Sequence, residues 1–77
     1  MNDEEIHETI NRLVAEEHDL RTQRHHTAEQ QAQLTGLEEA LDQCWDLLRQ
    51  RDALRSAGAD PSAAQARPIS EVEGYLQ

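Results

Sequence analysis

The sequence predicts an all-α protein: an antiparallel helical hairpin with a short C-terminal helical tail, dimerising into a four-helix bundle. Three observations carry that reading. Apolar residues recur at spacings of three and four through two long stretches, Ile6 to Leu20 and Leu34 to Leu48. Helix start and stop signals bracket them, Asn2 or Asp3 before the first, Thr27 with Gln30 before the second and Gly58 after it. With no Phe, one Trp and one Tyr, the core must be built mostly from Leu, Ile, Val and Ala.

The first helix is expected over about residues 3–21. Glu4 and Glu5 fall in its opening turn, where the positive end of the helix dipole favours them. Its buried stripe reads Ile6, Ile10, Leu13, Glu17 and Leu20, with Val14 widening it. Glu17 is the anomaly, a carboxylate at a seam position. The polar connector Gln23-Arg24-His25-His26 follows, and Thr27 with Gln30 then matches a capping box.

The second helix is expected over about residues 28–57, with Leu34, Leu37, Leu41, Cys44, Leu48, Arg51 and Arg55 along its seam. Thr35 with Glu38 offers a rival start. Gly36 falls on the outer face, where it costs the helix about 1 kcal/mol relative to Ala. Residues 1–58 thus form the hairpin and 59–77 a connector and tail. Gly58 supplies a left-handed cap, Asp60-Pro61 opens a short helical turn, Arg67-Pro68 ends it, and Ser70 with Glu73 forms another capping box.

Folding back near His25 leaves the second helix overhanging its partner beyond Leu48. Leu47, Leu48 and Leu54 then need cover from the tail through Ile69, Val72, Tyr75 and Leu76, or from a second copy. Ala40, Leu47 and Leu54 flank the seam on one edge and Trp45 on the other, a width that suits a helix touching two neighbours. The expected interface is therefore Leu34, Leu37, Leu41, Cys44, Trp45, Leu47, Leu48 and Leu54 in a homodimer. The stripe is equally compatible with parallel and antiparallel dimers, and with a monomer whose tail covers the overhang. Trp45 and Cys44 are expected to be buried opposite Ile6, the thiol inert.

Sixteen acids against seven bases give a formal charge of −9, which disfavours direct binding to nucleic acid or anionic membranes. All seven bases are arginine, so no lysine is present for Schiff-base or amine chemistry. One cysteine cannot form an internal disulfide and suits a reducing cytoplasm. The acidic start is the reverse of a signal peptide, and no apolar run reaches membrane-spanning length.

Catalytic constellations are lacking: no glycine-rich phosphate loop, no Ser/His/Asp arrangement, and a Cys44 flanked by Asp42 and Asp46, which oppose thiolate formation. No cofactor is expected. Glu4-x-x-His7 has the spacing of di-iron bundles, and Glu4, His7, Glu17 and His18 across a dimer are the candidate metal ligands. His25-His26 reads as solvated connector. Arg49, Arg51 and Arg55 form an ion-pair patch facing Asp3, Glu4 and Glu5, or remain available to an acidic partner.

Leu41-Asp42-Gln43-Cys44-Trp45-Asp46-Leu47-Leu48-Arg49-Gln50-Arg51 and the ending Arg67-Pro68 with Val72-Glu73-Gly74-Tyr75-Leu76-Gln77 resemble a family of short acidic actinobacterial proteins, domain of unknown function 2630. Glu16-Glu17-His18, Leu20-Arg21 and Asp60-Pro61 extend the resemblance over nearly the whole chain. It implies a small cytoplasmic helical protein and carries no activity, ligand or functional residue.

The expected function is a non-enzymatic interaction module, a homodimer engaging an unidentified protein partner through its acidic faces or its tail. Two alternatives stand beside it. One is a metal-binding, redox-active bundle; the other is an acidic mimic that occupies the basic nucleic-acid-binding site of a regulator. The tail itself is either structural cover or a docking peptide.

Overall fold

The structure, a computed structural model, describes residues 2–23 and 27–76, with side chains described through Val72. Two long helices, α1 (Asp3–Arg21) and α2 (Ala28–Ser56), lie antiparallel. A single 3-10 turn (Pro61–Ala63) and a short helix α3 (Ile69–Leu76) follow. No strand occurs among the described residues. The expectations placed on Arg24, His25 and His26, and on the side chains of Glu73, Tyr75 and Leu76, lie outside the described residues.

Each helix end has a local chemical cause. The Asn2 side chain accepts from the Glu5 amide at 2.8 Å while Glu5 accepts from the Asn2 amide at 3.2 Å. Thr27 and Gln30 make the same reciprocal pair at 3.1 and 2.9 Å, so α2 starts there. The rival signal at Thr35 lies inside the helix, its hydroxyl donating to the Gln31 carbonyl at 3.1 Å. At the C-terminus Gly58 takes φ 74, the Gly58 amide reaches the Arg55 carbonyl and the Ala59 amide reaches that of Leu54. These two bonds are the Schellman pattern, which needs a left-handed residue at this point.

Ile6, Ile10 and Leu13 of α1 and Leu41 and Cys44 of α2 form the buried core, with Leu37, Ala40, Leu47 and Leu48 packed against it. Glu17, half-buried on the seam, is met by Arg21 at 3.6 Å, and Arg21 crosses to Glu38 at 2.6 Å. Among the described residues the 3-10 turn and α3 pack on α2 and not on α1. The tail runs back along α2: Pro61 lies beside Arg51, Gln65 beside Gln50 and Arg67 beside Asp46 and Gln43. Val72 of α3 is completely buried.

Two expectations change. The overhang beyond Leu48 is short, because Asp3 at the start of α1 pairs with both Arg51 and Arg55. Trp45 is 45% exposed. It follows Cys44 by about 100° around the helix, which turns it off the seam onto the open flank of α2. The second neighbour that the wide stripe requires is the tail of the same chain.

Candidate interaction surface

The first polar assembly is built around Asp46, which has no exposed surface. A buried carboxylate is tolerable only when paired and hydrogen-bonded. Arg67 donates through Nε to Oδ2 at 2.9 Å and through Nη2 to Oδ1, Gln50 donates to Oδ2 at 2.8 Å, and Arg49 stands 3.7 Å away. Arg67, followed by Gln50, holds the Asp46 carboxyl below the usual carboxylate range against the opposing effect of burial. Gln50 also bonds the Gln65 backbone in both directions, and Gln43 donates to the Arg67 carbonyl at 3.2 Å. One face of α2 therefore satisfies the backbone of an irregular segment and fixes it in place.

The second assembly closes the open end of the hairpin. Asp3 accepts from Arg51 and pairs with Arg55 at 2.5 Å, while Arg51 also donates to the Pro61 carbonyl at 3.2 Å. Arg55 and Arg51 keep the Asp3 carboxyl low. Arg51, largely buried at its seam position, thus ties α1, α2 and the tail together.

The third feature is the opposite flank, which the tail leaves open. The Trp45 indole meets His7 edge-on, ring centroids 6.5 Å apart. Asp3, His7, Trp45, Leu48, Arg49 and Asp52 line a shallow depression there. His7, Val14 and Arg21 recur every seven residues on α1, as Glu38, Trp45 and Asp52 do on α2. A seven-residue step returns within about 20° of the same direction, so each set forms one stripe. The His7–Trp45 contact and the Arg21–Glu38 pair show that the two stripes face each other. Val14, 48% exposed, stands between them and is, with Trp45, a large exposed hydrophobic residue of the chain.

Within one chain the candidate metal ligands, expected to meet across a dimer, are not brought together. Glu4 and His7 sit near one end of α1 and Glu17 and His18 about 16–20 Å further along. Among the described residues no three His, Cys, Asp or Glu side chains gather in a metal-holding group. Of the expected interface residues, Leu34, Leu41 and Cys44 are buried within the chain, Leu37, Leu47, Leu48 and Leu54 are half-buried, and Trp45 is exposed. Burial pushes the Cys44 thiol up, with Arg12 a smaller opposing influence. Sequence reasoning missed the Asp46–Arg67 pair. Its signal was an acid inside an otherwise apolar and arginine-rich run, with Gln43 and Gln50 one helical turn to either side.

No described helix is long and apolar enough to cross a membrane. No solved structure matches the chain. Uncharacterised proteins of Mycobacterium tuberculosis and Mycobacterium bovis are 56% identical over 70 residues, covering 86% of this chain and 80% of theirs. A family model described as "Protein of unknown function (DUF2630)" matches residues 2–77. The chain belongs to that family.

Proposed function

We propose that the protein is a non-enzymatic helical interaction module of the cytoplasm whose partner-binding surface is the Trp45 flank. The observation that carries this reading is the placement of Trp45 and Val14 together on one side of the hairpin while the tail packs on another face of α2. Exposed aromatic residues beside apolar neighbours are the usual anchors of protein interfaces. The buried Asp46 and Arg51 and the half-buried Gln43 and Gln50 support the same reading, because they are engaged in holding the chain's own tail. The unpaired, buried Cys44 fits a reducing compartment. Capture from native lysate, compared between the wild-type chain and Trp45→Ala, tests this. A protein retained by the first and lost by the second is expected; identical captures contradict it.

Homodimerisation is the second reading, and the same exposed indole favours it. A second copy seated on this flank would complete a four-helix bundle. Sedimentation of the wild type and Trp45→Ala decides: a dimer that the substitution dissolves supports it, and a wild-type monomer at tens of micromolar removes it.

A further inference from the structure

We infer that the Trp45 flank receives a basic amphipathic helix, which lies along the α1–α2 groove as a third helix; the inference rests on the interaction-module reading above. Three observations choose this occupant. First, the groove is helical in period. Val14 lies seven residues, about 10.5 Å, along α1 from His7, which touches Trp45. That separation matches side chains i and i+7 of an approaching helix, with i+3 or i+4 falling between them at the level of Leu41 and half-buried Asp42 of the antiparallel α2.

Second, the border is acidic. Glu4, Glu38, Asp42 and Asp52 edge the flank, and Asp52 and Glu38 have well-exposed side chains whose pairs with Arg55 and Arg21 stay open to exchange. Arg21, Arg49 and Arg55 are the cations near this side, and Asp3, Glu4, Glu38, Asp42 and Asp52 outnumber them. A helix with lysine or arginine on both sides of its apolar stripe therefore complements the surface. A second copy of a chain of net charge −9 would bring the same carboxylates against themselves, and an anionic lipid surface would meet like charge.

Third, the described tail cannot supply the occupant. The Asp46–Arg67 pair and the Gln43 and Gln50 bonds hold it on another face of α2.

The test uses the full chain and two synthetic helical peptides of about three heptads. Both carry leucine at i, i+3 or i+4, and i+7; one has lysine at the flanking positions and the other glutamate. The lysine peptide is expected to bind saturably, to shield Trp45 from acrylamide, and to weaken about tenfold as salt screens the acidic border. Trp45→Ala, or Val14→Asp where the first variant fails to fold, should weaken it at least about tenfold. Glu16→Gln, on the far side of α1, should leave it unchanged. No binding of the lysine peptide, equal binding of both peptides, or a dimer that Trp45→Ala dissolves overturns the inference. If the peptides fail but lysate capture still depends on Trp45, this inference falls and the interaction-module reading stands. If capture is also independent of Trp45, both fall.

Discussion

The guanidinium of Arg67 spans both carboxylate oxygens of Asp46, across 21 positions of sequence and at a carboxylate with no exposed surface. This contact converts the segment after Pro61 from a linker into a third layer of the fold. It also explains how α2 finds two neighbours within one chain. A bidentate pair with Gln50 and Arg49 alongside satisfies the buried charge more completely than a monodentate one.

Asp46→Asn keeps the shape and removes the charge, so it should lower stability by about 2–3 kcal/mol. Urea denaturation measures the loss. Hydrogen exchange should show the amides between Gln65 and Val72 losing protection while those of α1 keep theirs.

Truncation after Pro68 should lower the melting temperature by several degrees. It removes fully buried Val72 and half-buried Ile69, about 2–4 kcal/mol of apolar burial. A truncated chain that melts like the intact one would show that α3 is a docking peptide and not structural cover.

Acid should loosen the structure over a defined window. Asp46 and Asp3 have carboxyls held low, by Arg67 and by Arg55 with Arg51. A lowered folded value means that the charged form favours the fold. That contribution is complete above the unfolded-chain value of about 3.9 and is lost as pH falls through the lower folded values. Melting temperature should therefore hold from neutral pH to about 5 and fall steeply below about 4. In Asp46→Asn the fall should be shallower.

The glycines of α2 and its cap should respond in opposite ways. Gly36 is helical, and a Cβ there meets nothing within 4 Å, so Gly36→Ala should stabilise by about 0.5–1 kcal/mol. Gly58→Ala should destabilise by about 1 kcal/mol, because φ 74 opposes any side chain although the space is open. Paired thermal melts of the two variants check both signs.

The helices were legible because their signals are local. The Thr27–Gln30 and Asn2–Glu5 boxes, Gly58 and the three-and-four spacing each lie within a few residues of what they determine. The all-helical architecture follows from them. The Asp46 assembly was not legible, since Arg67 acts only once the tail has turned at Gly58 and Pro61 and come back along α2. Trp45 was placed on the right edge of the stripe, but its exposure within one chain was not legible, for a related reason. Periodicity gives a residue's angle on its own helix, but which side of a wide stripe the tail occupies is decided by Asp46, Gln50 and Gln43. With the tail on their face, Trp45 is left on the open one.

Trp45 is the chain's single tryptophan, so its fluorescence reports on this flank alone. Acrylamide, being uncharged, is not repelled by a protein of charge −9. Quenching of Trp45 in the isolated chain at low micromolar concentration is the most direct test of an open flank opposite a latched tail. A half-accessible indole, quenched readily and independently of concentration, is the predicted result. An indole shielded in the isolated chain would contradict it, by showing that the flank is already covered.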